Sequence, residues 1–357
     1  MNRLVIIGNG FDLAHGLKTS YKDFMNWYAK DYVLKMCSVN LKEYNDGLCR
    51  VNYDFGFAAF QNCLERIEKI NDLKRHSTTI TITKTSLLEK IETNLEYKNW
   101  VDIEDDYYQL LKEIILSKNS KDYKVKKVTE LNDQLENLKK KLIEYLCEVE
   151  SNAKKCNEVD VNSIICSNIN IVHDLDSRST NIISEENQGS QEIEPENTII
   201  LNFNYTNTIK MYCDENNLDC LHIHGKLENP GTIVFGYGDE FDEDYKILSN
   251  ANENVYLEKF KSFKYLENST YKEVLRFIES DKFQILLLGH SCGNSDRTLL
   301  STLFNHKNCV SIKPYYHLKE YGKDDYSDLI MNISRSFNSA SEMRSKVVSK
   351  EHCLPLQ

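Results

Sequence analysis

Five stretches hold the residue types that could do chemistry: Gly8-Asn9-Gly10-Phe11-Asp12, Asn204-Tyr205-Thr206, His224-Gly225, Gly236-Tyr237-Gly238, and Gly289-His290-Ser291 running on to Asp296. Glycine removes the side chain, so backbone N–H groups can come close to a phosphate or a ribose. An imidazole changes charge near working pH, as a general base must. Amide, hydroxyl and carboxylate groups supply the remaining donors and acceptors. Together these stretches outline a nucleotide site. The first, taken alone, reads equally well as a plain tight turn, because Leu13 leaves the G-x-G-x-x-G fingerprint incomplete.

Other readings stand beside this one. His222 and His224 lie two apart on one strand and face the same side, which suits a metal pair, yet no third ligand is evident and no metal is expected. His15 and His290 read as loop or packing histidines, and Asn202 and Asn204 could be turn residues that satisfy backbone groups. The acids Asp239, Glu240, Asp242, Glu243 and Asp244 could bind Mg²⁺ or form a solvated loop. Asp102 and Glu104, in Trp100-Val101-Asp102-Ile103-Glu104, read as acids capping the positive end of a helix.

The elements that must position these residues are legible as patterns. Leu4-Val5-Ile6-Ile7 is an unbroken apolar run with three β-branched members, as expected of a strand buried on both faces of a parallel sheet. Further short strands are expected at 198–203, 218–224, 231–236, 283–289 and 309–313. In open α/β sheets ligands bind beyond the carboxyl ends of the strands, and all five chemical stretches stand at such ends. The expected fold class is therefore α/β, a Rossmann-type doubly wound parallel sheet. Its core would comprise residues 1–34 and 196–320, interrupted by a helical insertion at 35–195 and followed by a C-terminal helical tail at 321–357. Ser20 with Asp23 three residues later opens a helix bearing Tyr21, Phe24, Trp27, Tyr28 and Tyr32, aromatics that suit core packing or base stacking. Within the insertion, 56–70 and 85–117 read as helices, and Thr78 to Thr83 as a short strand or a loop. Val128, Leu131, Leu135, Leu138, Leu142, Tyr145 and Val149 make a heptad seam, whose partner is either another helix of the chain or, in a homo-oligomer, a second copy. Residues 174–197 read as a mobile polar loop.

Composition bounds the partners. The 357-residue chain carries a net charge of -11, which works against binding a nucleic-acid backbone, although a small anionic ligand can still be held by backbone amides. No apolar run is long enough to span a membrane, and residues 1–7 lack a signal-peptide core, so a cytoplasmic protein is expected. Eleven cysteines without a C-x-x-C pair fit a reducing compartment.

Two resemblances follow from these motifs. Gly-x-Gly near the start, an asparagine turn, His-Gly, a Val-Phe-Gly turn and Gly-x-Ser, in that order, resemble the sirtuin (SIR2-like) fold that binds NAD. The wording from Asn9 to Tyr21, with Trp100 to Glu104, Asn204-Tyr205-Thr206, His224-Gly225 and Gly289 to Asp296, is similar to the AbiH family of phage abortive-infection proteins. The resemblance implies an antiphage effector with NAD as its substrate, hydrolysed at the nicotinamide–ribose bond, or else a non-catalytic nucleotide-binding sensor. It assigns catalysis to Asn204, holding water or the leaving amide, and to His224, a base toward a ribose hydroxyl. It assigns nucleotide contacts to Gly8, Asn9, Gly10, Phe11, Asp12, Thr206, Gly225, Gly236, Gly289, Ser291 and Asp296, and it implies a phage or host activator. Asp12 stands where sirtuins carry Ser, and Thr206 where they carry Asp. The zinc module is missing, which disfavours deacylation.

Overall fold

The computed structural model of the chain describes residues 1–38, 42–53, 67–75, 79–98, 102–151, 160–186 and 189–356. Five parallel strands form the central sheet: β1 (Asn2–Ile7), β2 (Thr198–Asn202), β3 (Asp219–His222), β4 (Phe283–Leu288) and β5 (Cys309–Tyr315). Their spatial order is β5-β4-β1-β2-β3, so the chain winds outward from β1 to one side and then returns to build the other. The strand order reverses between β1 and β4, the position at whose carboxyl edge open α/β sheets bind ligands.

β1 is buried along its whole length because both faces are covered. Leu4 and Ile6 join one core with Ile285, Leu287, Val274, Ile278 and Leu300, while Val5 and Ile7 join the opposite core with Phe11, Tyr212, Leu286 and Leu288. This is the period-two division that an apolar run inside a doubly wound sheet predicts.

Between β1 and β2 lie α1 (Asn9–Ala14), α2 (Tyr21–Ser38), α3 (Ser86–Lys98), α4 (Ile103–Leu116) and α5 (Lys121–Glu150). Ser20 caps α2 by accepting the Asp23 N–H at 3.1 Å, and Phe24, Tyr28 and Tyr32 are fully buried as core residues. The heptad seam of α5 finds its partner inside the chain: Val128, Leu131, Leu135, Leu138, Leu142 and Tyr145 are buried against α2, α3 and α4. A second copy is not needed to cover that face.

Several expectations are corrected. The insertion, expected to be helical apart from a short strand or a loop at 78–83, does carry a strand there, Thr81–Lys84, and also two that were not expected, Glu43–Asn45 and Cys49–Asn52, the three forming a small antiparallel sheet. The stretch expected to be a mobile loop at 174–197 contains a helix, Ser177–Glu186, and a short strand, Glu192–Ile193, paired with Ile169–Asn170. Of the expected helix at 56–70, residues 56–66 lie outside the described residues, as do Trp100 and Val101. The tail beyond 320 adds two helices, Tyr326–Arg335 and Ala340–Lys346, but also bridges back to the sheet edge through Val347 on Ile312.

No strand forms at 231–236. Pro230–Thr232 is a 3-10 turn, and the segment after it divides its apolar residues between two cores. Val234 packs on the sheet, whereas Ile233 and Phe235 turn to the helical core with Leu227, Tyr237 and Phe260. The helical insertion and residues 227–260 thus share one interior, and the expected division at residue 196 is crossed by packing.

The carboxyl edge is drawn tight by main-chain contact. Gly8 donates to the Leu288 carbonyl at 3.1 Å and Gly10 to the Gly289 carbonyl at 2.8 Å. A Cβ on Gly289 would stand 2.1 Å from the Phe11 nitrogen, and its φ is +70°. Gly16 has a similar φ of +74°, but with nothing within 4 Å of the added carbon. Gly289→Ala is therefore expected to lower stability by at least about 2 kcal/mol, and Gly16→Ala by about 1 kcal/mol. Urea unfolding of the two variants checks this; equal losses would mean that the close approach contributes nothing.

Candidate functional site

Side chains from segments that lie far apart in sequence meet at this edge. Asn204, at the end of β2, is pinned from both sides: its N–H donates to the Asn202 side chain at 2.9 Å, and its Nδ2 donates to the Gly8 carbonyl at 3.0 Å. Because Nδ2 is committed, Oδ1 is the acceptor that the side chain has to offer. His224 follows β3 and is almost completely buried. Its Nδ1 faces the Phe203 carbonyl at 3.1 Å, and Nε2 faces the Tyr265 hydroxyl at 3.1 Å. A carbonyl can only accept, so Nδ1 carries a proton; in the neutral ring Nε2 then presents a lone pair, toward which Tyr265 donates.

Behind Nε2 stands a buried charge cluster. Asp296 Oδ1 lies 3.3 Å from His224 Nε2, and Asp296 Oδ2 lies 3.5 Å from His290 Nε2. The Lys261 ammonium pairs with Asp296 Oδ1 at 2.8 Å and with Glu104 Oε2 at 2.7 Å, while Glu104 Oε1 accepts the Gly236 N–H at 3.1 Å. Burial by itself would raise the Asp296 carboxyl, but the Lys261 ammonium, with His290 donating to the other oxygen, outweighs it and holds Asp296 well below the usual carboxylate range. Burial opposes the Lys261 charge as well, and Asp296 and Glu104 overcome it and hold the ammonium above the ordinary lysine value. Burial, reinforced by Lys261, lowers His224. These directions favour a neutral imidazole beside an ionised carboxylate, an arrangement suited to taking a proton from a hydroxyl or a water.

The remaining expected contacts are placed as follows. Gly8 and Gly10 line the edge, with the space that their missing side chains leave taken by Gly289 and His290 main chain. Asn9 and Ser291 are exposed at the rim. The Phe11 ring is buried against His15 and Tyr212, so it is a core residue, and His15 packs with Nδ1 on the Phe11 carbonyl at 2.7 Å. Asp12 turns away from the rim and hydrogen-bonds Thr206, so the two positions that depart from the sirtuin pattern pair with each other. Gly225 turns the chain after His224. The Gly236 N–H is occupied by Glu104, and Asp296 serves Lys261 and the two histidines.

His290 had read as a packing histidine and instead joins the cluster; Glu104 had read as a cap and instead binds Lys261. Asp102 is the cap, accepting the Asp105 N–H at 3.1 Å. Lys261 carried no motif, and neither did Tyr265. Asp239 pairs with Arg297 at 3.2 Å and Asp242 with Lys112 at 3.3 Å, so these acids are tied to structure. His222 is pushed down to about 4, by burial first and Lys226 second. Among the described residues no group of three or more His, Cys, Asp or Glu side chains is arranged to hold a metal ion, and no helix is long and apolar enough to cross a membrane.

The family model described as "Bacteriophage abortive infection AbiH" matches residues 4–317. No curated protein and no solved structure matches the chain.

The Asp12–Thr206 pair carries its own test. Burial pushes the Asp12 carboxyl up to about 6, with hydrogen bonds from Thr206, Thr208 and Asn204 working the other way. A carboxyl raised in the folded state leaves stability intact below its ordinary range and erodes it as pH climbs through about 6. Asp12→Asn removes that loss. Its unfolding free energy is expected to match the wild type near pH 4 and to exceed it by up to about 3 kcal/mol at pH 7.5. Urea denaturation across this range measures the difference, and a gap independent of pH would contradict the assignment.

Proposed function

The chain belongs to the AbiH family, which gives it a role in phage abortive infection, and from that premise we propose that it is the effector that hydrolyses NAD⁺ at the nicotinamide–ribose bond. One observation carries the reading: the Asn204 amide, the His224 imidazole and the Asp296 carboxylate gather beside the Gly8 turn at the carboxyl edge, where sheets of this winding bind nucleotides. A SIR2-like relationship of the sheet is part of the same proposal.

In the proposed reaction NAD⁺ and water yield nicotinamide, ADP-ribose and a proton. The C–N bond breaks with its electron pair leaving on nicotinamide, which departs neutral, and the water oxygen bonds to the anomeric carbon. Asn204 Oδ1 orients the water, since Nδ2 is held by the Gly8 carbonyl. A ribose hydroxyl replaces Tyr265 at His224 Nε2, whose lone pair accepts its proton; the attacking water then returns a proton to that ribose oxygen, and His224 releases its own to solvent as the proton of the products. The leaving group is already cationic before cleavage, so most of the rate comes from positioning and from stabilising an oxocarbenium-like centre. The activating partner would be a phage or host component, and the protein would act in the cytoplasm.

A second reading is favoured by a separate observation: His224 Nε2 already has Tyr265 as its donor and Asp296 already has Lys261 as its counter-ion. A site so satisfied could hold NAD⁺ or ADP-ribose as a sensor and leave the ligand intact.

Incubation of the full chain with NAD⁺, followed by chromatography for nicotinamide, tests the enzyme. Asn204→Ala and His224→Ala are each expected to slow release by at least about 100-fold. Undiminished turnover in both variants would remove the mechanism. Thermal stabilisation by NAD⁺ and ADP-ribose with no product formed would favour the sensor.

A further inference from the structure

A buried imidazole 3.3 Å from a buried carboxylate would ordinarily take up a proton and become half of an ion pair. An imidazolium cannot act as a base. The surroundings of His224 prevent this by filling the carboxylate's charge first. Lys261, only 1 % exposed, brings its ammonium to 2.8 Å from the same Asp296 oxygen that faces His224 Nε2. A lysine suits the position because its charge is compact and sits at the end of a slender stem. One cation there satisfies Asp296 and repels a second proton on the imidazole beside it.

The ammonium is itself aimed from the other side. Glu104 Oε2 holds it at 2.7 Å, and Glu104 Oε1 is anchored on the Gly236 N–H at 3.1 Å. Glu104 stands at the start of α4, in the insertion, whereas Lys261, Asp296, His224 and His290 all follow β2 in the chain. The α4 helix is further fixed to the 236–261 segment by the Tyr108 ring stacked on Tyr237 at 3.9 Å. The remaining groups that bear on the imidazole are His290 on the far oxygen of Asp296, Tyr265 on Nε2, and the Tyr205 ring 6.3 Å away. Tyr21, Asp102 and the buried Cys292 thiol also belong to the charged and titratable surroundings of Glu104 and Asp296.

We propose that Lys261, aimed by Glu104 of the insertion, is a positioning residue: it takes the charge of Asp296, so that the imidazole of His224 stays neutral and its Nε2 lone pair, toward which Tyr265 donates, can serve as a base. The insertion thereby completes the site, since without Glu104 the lysine has one anchor in place of two. This inference rests on the reading of His224 as a base, but its test does not require turnover.

The test is an NMR titration of the His224 ring in the full chain, with the signal assigned by its loss in His224→Gln. In the wild type His224 is expected to be the neutral Nδ1–H tautomer at pH 7, with its midpoint below that of an ordinary histidine. In Lys261→Met the midpoint is expected to rise by at least ~1 pH unit, because Asp296 is left as an unshared negative charge. Lys261→Arg restores a cation and should bring the midpoint back toward the wild type. If Lys261→Met does not fold, Glu104→Gln/Lys261→Met, which removes one charge of each sign, should show the same rise. An imidazolium at pH 7 in the wild type, or an unchanged midpoint in either folded methionine variant, overturns the proposal. Where NAD⁺ is turned over, the acid limb of the rate should move to higher pH in Lys261→Met by the same amount. Failure to release nicotinamide counts against the reaction alone, because the ring titration stands apart from it.

Discussion

Two turns pressed main chain to main chain hold the working edge of this protein together. Gly8 and Gly10 donate to the carbonyls of Leu288 and Gly289, and the peptide at Gly289 lies so near Phe11 that a side chain has no room. This contact closes the carboxyl ends of β1 and β4, the neighbours between which the strand order reverses. From it Asn204 receives its anchor, the Gly8 carbonyl, and His290 its place beside Asp296. The glycines act here by letting two stretches of backbone meet with no side chain between them.

Beneath that edge the protein buries charge, which is expensive unless each group is paired. Lys261, Glu104, Asp296, His224 and His290 meet the requirement together, each within reach of another member. Such a cluster is weak as a source of stability, since well-packed apolar residues could replace it. Its value lies in setting protonation states: an anionic Asp296 and a neutral His224 only a hydrogen bond's length apart. The low dielectric that makes the cluster costly also makes each of its charges effective on its neighbours.

The insertion is part of the same body. Its helices pack with Leu227, Ile233, Phe235, Tyr237 and Phe260 in one interior, and Glu104 extends from that interior to the cluster. The long helix α5 closes this core from within the chain, its seam filled by α2, α3 and α4. The family model spans residues 4–317, the insertion included.

What the sequence determined by itself was local and periodic. The unbroken apolar runs at β1 and β4 announced strands buried on both faces, Ser20 and Asp23 announced a helix start, and the 3-4 spacing of α5 announced a seam. The strand ends carrying Asn204 and His224 were legible for the same reason, since a change from apolar to polar residues is visible without knowing the neighbours. Pairing was not legible. Ile233, Val234 and Phe235 look like a strand until no ladder is seen to pair them, and Glu104 looks like a cap until Lys261 stands across from it, 157 residues away in the chain. Lys261 had no pattern at all, because a single lysine in sequence is a solvated charge by default. Only the tertiary structure decides that it is buried between two carboxylates, since electrostatic partnership depends on distance in space and burial, and neither is encoded in the spacing of nearby residues.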